Sequence, residues 1–505
     1  MLFADLVAAS AAVAATRKRG EKIARLAEAL RRLAPDEVGP AVAFLSGELP
    51  HGRIGVGWST ISRTAAAGAA DAPTLTIGDV ARFLDEVLAT VGAGSSAARL
   101  RQIESFLARA TAAEADFLAR LLVGELRQGA LSGVMADAIA AAANVRPAAL
   151  RRAAMLCGDL ATAARIALAE REPGLAAVVL EVGRPILPML ASTSADPASA
   201  IAATGAASVE WKIDGARIQV HRSDAGVRIF TRNLNDVTGR LPEVAAVAAS
   251  LEVGSAVLDG EVLGLSEDEA PRAFQETMSR FGAGEPVAAH GLLRPYFFDV
   301  LALDGEVLID RPLRERLTLL DRAAGAHAVP RIATADAAEA ERFLSAALAA
   351  GHEGVMIKAL DSRYEAGRRG RAWRKVKPVL TLDLVVLAAE WGHGRRSGWL
   401  SNLHLGARDP ATGGFVMVGK TFKGLTDELL RWQTTRFGEL AERESGGTVW
   451  LRPELVVEIA LDGVQRSTRY AGGVALRFAR VKGYRPDRDA VSANTIGEVR
   501  ALLRG

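Results

Sequence analysis

No helix can run unbroken through residues 183–199. Pro185, Pro188 and Pro197 lie in this stretch, with Ser192, Ser194 and Asp196 among them. Each proline removes a backbone donor and crowds the preceding turn, and the small polar residues favour loops. The hydrophobic pattern changes across the break. Upstream, Ile23, Leu26, Leu30 and Leu33 recur at helical spacing, as do Val80, Phe83, Leu84 and Val87. Downstream, apolar residues alternate in short runs. A chain of 505 residues corresponds by length to about three domains. The expected organisation is multidomain: an all-α domain over 1–182, a linker over 183–199, an α+β domain over 200–378 and an all-β domain over 379–505.

In the first domain, Thr111 and Glu114 have the spacing of a capping box. The helix they open carries Phe117, Leu118, Leu121 and Leu122, and its end is expected near Gly129. Pro147 suits the first residue of a further helix. Residues 46–58 and 65–72 are rich in glycine or alanine and read as extended or looped. An all-helical packing domain accounts for this region, and so does an all-helical DNA-binding domain. The local clue is Glu125-Leu126-Arg127-Gln128-Gly129, because an arginine and free backbone amides at a glycine-broken helix end suit phosphates.

After the linker, strands are expected at 226–232, 256–265, 295–303 and 354–359. Helices are expected at 243–251 and from Asp336 to Gly351. This order gives a mixed α+β layer arrangement, not a regular βαβ winding. From 379 onwards the strands 382–389, 400–407, 415–421 and 455–461, with a fifth near 476–481, surround one helix at 426–437. About five strands of this length fit a small barrel such as an OB-fold, with an all-β sandwich as the alternative.

Composition excludes several classes. Hydrophobic content is 50%, charged content 24% and mean hydropathy +0.15, with alanine inflating the apolar share. No run of 18 strongly apolar residues exists, so no membrane helix is expected. Asp5 interrupts the apolar start and no basic region precedes it, which disfavours a signal peptide. The one cysteine, Cys157, cannot form an intramolecular disulfide or a four-cysteine zinc site. A reducing, cytoplasmic setting is expected. The net charge of +3 says little by itself about nucleic acid; clustering decides more.

The chemistry-bearing stretch is Glu210-Trp211-Lys212-Ile213-Asp214-Gly215-Ala216-Arg217. Val209, Trp211 and Ile213 alternate with polar neighbours, and Ile218 and Val220 resume the alternation, so two strand pieces meet at a tight turn. A surface hairpin would look the same. Yet Lys-x-Asp-Gly-x-Arg fixes four positions and should arise by accident in roughly 1% of chains this long. A lysine attacks only when deprotonated, and neighbouring cations with partial desolvation are expected to lower its pKa. An arginine can hold a phosphate in a planar fork, and glycine lets backbone approach a ligand.

Further elements follow in order. Leu258-Asp259-Gly260-Glu261 puts a carboxylate where a ribose hydroxyl or a metal could sit. Of Phe297 and Phe298, one is expected in the core and one is free to stack on a base. Glu353-Gly354-Val355-Met356-Ile357-Lys358 sets a Glu and a Lys on one strand. Arg368 to Lys377 contains six basic residues in ten. Trp373, Lys375 and Lys377 alternate there, so they share one side of a strand in a phosphate-binding arrangement. Arg477 to Arg488 is basic with interleaved aromatics.

Taken together, these motifs resemble the full series of ATP-dependent DNA ligases, strongly over about 180–490 and more weakly over the helical region. The first motif is shared with mRNA capping enzymes, and the whole chain is most similar to medium-sized bacterial ligases with a helical DNA-binding domain in front. The Arg127-Gln128-Gly129 junction resembles the one with which that domain touches the DNA backbone. The resemblance implies roles. Lys212 takes AMP as a phosphoramidate. Glu210 accepts from the adenine amine. Arg217 holds the nucleotide and later the 5′-phosphate of a nick, and Arg232 binds phosphate. Glu261 contacts ribose or metal, Phe298 stacks on adenine and Glu353 helps bind Mg²⁺. Arg369, Trp373, Lys375 and Lys377 complete the phosphate site, and Lys358 reaches the nucleotide phosphate. The segment 477–488 orients the pyrophosphate of ATP. That motif departs from the family: Gly483 stands where the family has Arg, and Arg488 where it has Lys. Lys482 is the nearest substitute charge. The implied substrates are ATP, with Mg²⁺, and nicked duplex DNA; a monomer without membrane contact is expected. A capping guanylyltransferase is the rival from the same motif, and a non-catalytic nucleic-acid-binding module the rival from another class. An NAD-dependent ligase would need the zinc module that one cysteine cannot build.

Overall fold

The structure is a computed structural model. It describes all residues except 48, 50–69, 93, 123, 125, 127–131, 266–291, 366–368, 394–395 and 504–505. The looped stretches expected within 46–72 and the Arg127-Gln128-Gly129 junction therefore fall largely or wholly outside the described residues.

The first region is helical, as its periodicity demands. Helices run from Phe3–Ala14 through Leu160–Ala177 around one apolar core that includes Phe3, Phe44, Phe83, Phe117, Leu118 and Ile139. Thr111 and Glu114 do cap each other: the Glu114 carboxylate accepts from the Thr111 amide and hydroxyl at 2.9 and 2.8 Å. The helix they open spans Ala112–Leu122 and stops before the expected Gly129. Pro147 opens the helix Pro147–Cys157.

The proline-rich stretch is not a free linker. Ile186 and Met189 are buried, and Leu190–Thr193 forms strand β1, which joins a sheet of the next region. That region contains β2 (Ala207–Lys212), β3 (Ala216–Ser223), β4 (Gly226–Thr231), β5 (Ala256–Leu265), β6 (Leu292–Leu303), β7 (Glu306–Val307), β8 (Arg331–Thr334), β9 (Gly354–Ala359) and β10 (Arg369–Val376). They build two sheets, ordered β1-β10-β9-β2-β8 and β4-β3-β5-β6-β7. The turn Ile213–Gly215 is therefore not a hairpin turn. It carries the chain from one sheet to the other, because β2 pairs with β8 and β9 while β3 pairs with β4 and β5. Gly215 is required there: a Cβ would collide with the Val262 carbonyl.

The last region is all-β apart from Asp427–Leu440 and short helical turns near its end. Its strands are β11 (Leu380–Trp391), β12 (Leu400–Arg408), β13 (Phe415–Thr421), β14 (Ala441–Ser445), β15 (Thr448–Leu451), β16 (Val456–Leu461), β17 (Gly463–Arg466), β18 (Val474–Arg477) and β19 (Arg480–Tyr484). One edge of β11 pairs with β12. The other is shared by β16 at its start and β15 at its end, so the sheet curls into an OB-type barrel over one core. The expected fifth strand is two strands, broken where Phe478 takes φ +52°. The hairpin β14–β15 was not expected. Ala441–Ser445 is exposed throughout and carries no apolar alternation to announce it.

Candidate active site

A cleft of about 290 Å³ opens between the two central sheets. Lys212 ends β2 at one side of it and Arg217 is the second residue of β3 at the other. Glu210, Arg217, Arg232, Glu261, Phe298, Lys358, Trp373 and Lys375 line it with Lys212.

Lys212 stands opposite Gly354 in the β2–β9 ladder, which brings Glu353 beside it. Its ammonium pairs with the Glu353 carboxylate. Burial pulls the Lys212 pKa down, but Glu353, Glu261 and Asp214 outweigh it and hold the amine above its ordinary range. The sequence-based expectation of a lowered pKa is corrected here. The carboxylates around the amine, not cations, dominate its field. Burial raises Glu353, and the cations Lys212, Lys377 and Arg477 more than offset it, so that carboxyl is held low. Lys377 lies 3.6 Å from Glu353. Lys375 lines the cleft, and burial with its neighbours Lys377 and Lys212 lowers its pKa. Glu261 is pushed to about 7 by burial, against the pull of Lys212 and Arg217.

The other end of the cleft is aromatic. Asp259 opposes Asp299 and Gly260 opposes Phe297, which leaves Phe298 as the extra residue of a β-bulge. The bulge turns Phe298 to the cleft while Phe297 is fully buried in the core. Lys358 is buried between rings, 4.4 Å from the Phe298 centroid and 4.3 Å from that of Trp373. Its Nζ pairs with Glu210 at 2.6 Å, and Ser208 donates to the same carboxylate at 2.9 Å. Burial pushes the Glu210 carboxyl up against the attraction of Lys358. Lys358, expected to reach the nucleotide phosphate, lies beside Glu210 here, because it opposes Ser208, four residues along β9 from the Gly354–Lys212 pair. Trp373 lines the same cleft and packs edge-on against Phe298 and Tyr364.

Arg217 is held side-on by Asp259, at 3.0 and 2.7 Å, and donates to the Met189 carbonyl at 2.8 Å. Arg232 follows β4, exposed at the cleft rim. Arg369 opens β10, and its side chain falls outside the described residues. The barrel reaches the site through charge. Arg477 donates to Asp214 at 2.9 Å, and Lys377 pairs with Asp462 at 2.9 Å. Arg488 does not reach the cleft; it pairs with Asp383 inside the barrel region at 2.9 Å, as Arg485 does at 3.2 Å. Lys482 is the exposed bulge residue of β19, and a side chain at Gly483 would meet open space.

Three family descriptions match the sequence in order. They are DNA ligase N terminus over residues 64–140, ATP dependent DNA ligase domain over 188–377 and ATP dependent DNA ligase C terminal region over 396–488. A probable DNA ligase of Saccharopolyspora erythraea is 58% identical, across 99% of this chain and 98% of its own. The chain belongs to the ATP-dependent DNA ligases. A probable DNA ligase of Rhodococcus opacus is 56% identical over the full length of both ligases. A solved structure titled Pmar-Lig_PreS3 has the same fold, with a TM-score of 0.66, 19% identity and coverage of 95% and 99% of the two chains.

Tyr364 and Met356 were given no role by sequence reasoning, and Asp259 was read only as part of its Asp-Gly-Glu run, although with Met189 they shape this ligase site. Met356 was legible, since it alternates with Lys358 along β9 and so shares its face. Tyr364 left no such signal, because its importance comes from contacts between distant segments. Among the described residues no cluster of three metal-binding side chains stands ready, and no helix is long and apolar enough to cross a membrane.

Proposed function

We propose that this ligase seals nicks in duplex DNA by carrying AMP from ATP on Lys212. The observation that supports it best is the single cleft with a lysine among carboxylates at one end and an aromatic, Glu–Lys-lined pocket at the other. Lys212 Nζ attacks the α-phosphate of ATP, a P–N bond forms and pyrophosphate leaves. A 5′-phosphate oxygen at the nick then displaces Lys212 from AMP. The 3′-hydroxyl attacks that 5′-phosphate and AMP leaves. These are phosphoryl-type transfers, so positioning and charge neutralisation supply the catalysis.

The base end reads adenine by charge pattern. Glu210 accepts from the exocyclic amine and Lys358 donates to the adjacent ring nitrogen. Guanine inverts that pattern, so both contacts turn repulsive. Phe298 and Met356 cover the two faces of the base. Arg217, Arg232, Arg369, Lys375 and Lys377 hold phosphates, and Arg477 approaches from the barrel. Mg²⁺ fits Glu353 and Glu261, since this ion takes one or two carboxylates together with substrate phosphates and needs no all-protein cage. Bound there it would neutralise charge on the transferring phosphate. Lys212 must shed its proton before attack, and drawing Glu353 away from it lowers its pKa. Arg127, Gln128 and Gly129 are proposed to touch the DNA backbone, and the protein to act as a monomer.

The test is incubation with labelled ATP and Mg²⁺, without DNA, for wild type and Lys212→Ala. Covalent label on wild type alone, discharged by nicked DNA, is the expected result. Label from GTP in preference to ATP, or none from either, would overturn the reading.

A further inference from the structure

Arg217 is part of a closed ring of four residues. Its Nε and Nη2 donate to Asp259, and its Nη1 to the Met189 carbonyl. The Tyr364 hydroxyl donates to Asp259 Oδ2 at 2.6 Å. The Met189 amide closes the ring by donating to that hydroxyl at 3.0 Å. Asp259 is 1% exposed and Tyr364 2%, so water does not compete for these bonds. A guanidinium has five N–H groups. Three are used within the ring, which leaves two for the cleft that Arg217 lines. Arg217 can therefore bind an oxyanion without releasing Asp259.

The segment bearing Tyr364 is itself fixed. Asp299 lies opposite Asp259 across β5 and β6, and two buried carboxylates so placed repel. Each is taken by its own arginine: Asp259 by Arg217, Asp299 by Arg316 at 2.8 and 3.0 Å. Arg316 also donates to the Ser362 carbonyl at 3.0 Å, and the Tyr364 amide donates to Ile309 at 2.9 Å. Met189 leads directly into Leu190 and Ala191, which form one wall of the cleft. The hydroxyl of Tyr364 thus ties the plane of the arginine to the wall beside it. Burial and the neighbouring Asp259 carboxylate raise its pKa well above the ordinary phenol value.

We propose that Tyr364 is a positioning residue for strand joining: through Asp259 and Met189 it holds the free edge of the Arg217 guanidinium toward the 5′-phosphate of the nick. This rests on the assignment of Arg217 to that phosphate. Tyr364→Phe keeps the ring against Trp373 and removes only the hydroxyl. The experiment compares binding of nicked duplexes bearing a 5′-phosphate or a 5′-hydroxyl, using protein already carrying AMP on Lys212, with label formation from ATP recorded beside it. Wild type should prefer the phosphorylated nick. Tyr364→Phe should lose about tenfold of that preference, as expected for a displaced phosphate contact, with 5′-hydroxyl binding unchanged. A purely structural role would weaken both duplexes alike. Asp259→Asn carries the same test if the first variant does not fold, since the amide NH2 would face an Arg217 N–H whichever way it is turned. Preference intact in the folded variant overturns the role of Tyr364. No preference in wild type that nevertheless becomes labelled overturns the Arg217 assignment and the proposal with it. Wild type that takes no label overturns the ligase reading itself.

Discussion

The central domain is joined to its two neighbours by different physics. On one side Met155 and Leu156 of the helical region bury themselves with Ile186, Met189, Leu301 and Ile309 in a continuous apolar cluster. On the other side, the barrel meets the site through Arg477–Asp214 and Lys377–Asp462. Apolar burial is non-directional and survives salt. Ion pairs at a partly wet surface contribute little net stability but depend steeply on geometry and on what else is charged nearby. The first joint suits a permanent attachment. The second suits one that forms and releases as charges in the cleft change. Lys212 shares Glu353 with Lys377, and Lys377 in turn holds Asp462. In the proposed mechanism, converting Lys212 to a phosphoramidate would remove an ammonium from that relay.

The largest effect should come from the ionic joint. Arg477→Ala should slow label formation from ATP by about a hundredfold, the cost of removing one charge-stabilising contact from a preorganised site. Sealing of a nick that already carries AMP should change little, and so should the melting temperature. Equal losses in both assays would show that the joint does not discriminate between steps. The apolar joint should behave in the opposite way. Leu156→Ala, at a fully buried position, should destabilise the fold by about 3 kcal/mol without selecting a step. Urea unfolding beside the two activity assays separates these outcomes.

The apolar joint was less legible in the sequence than the ionic one. Met155 and Leu156 read as ordinary helix-face residues, and nothing in their spacing says that the face meets another domain. The proline-rich stretch was visible as a break, yet its burial depends on β10, far along the chain, which supplies a partner for β1. The chemistry was easier. Lys212, Glu261, Phe298, Lys375 and their motif neighbours are local patterns whose residue types announce a task. What local pattern could not reveal was direction. Phe298 faces the cleft because of a bulge. Lys358 lies beside Glu210 because of strand register. The Lys212 pKa is raised because three carboxylates from separate segments converge on it.

Glu261 sharpens the comparison, because its charge lies on the ionic side. The unfolded carboxyl has its ordinary value of 4.5 and the folded one about 7. Between these values the native state keeps a proton that the unfolded state has lost. Native stability therefore falls as pH rises through the window, and the full penalty applies above about 7. Glu261→Gln, which mimics the protonated form, should be more stable than wild type at pH 8 by on the order of 2 kcal/mol and indistinguishable near pH 4.5. Unfolding curves of the two proteins that run parallel from pH 4.5 to 8 would remove burial as the dominant influence on Glu261.

The smallest expected effect is that of salt, and it follows from how deep the ionic joint lies. Arg477, Asp214, Lys377 and Asp462 are each about a sixth to a quarter exposed, so screening reaches them only in part. Raising NaCl from 50 mM to 500 mM should slow label formation by about threefold, since partial burial shields these pairs from part of the screening. DNA is absent from that assay, so loss of backbone binding cannot imitate the effect. Arg477→Ala should flatten the salt dependence, having already lost one of the two pairs, whereas Leu156→Ala should keep the wild-type slope. A slope unchanged in Arg477→Ala would mean that salt acts on ATP and not on the joint, and the contrast between the two attachments would lose its electrostatic half.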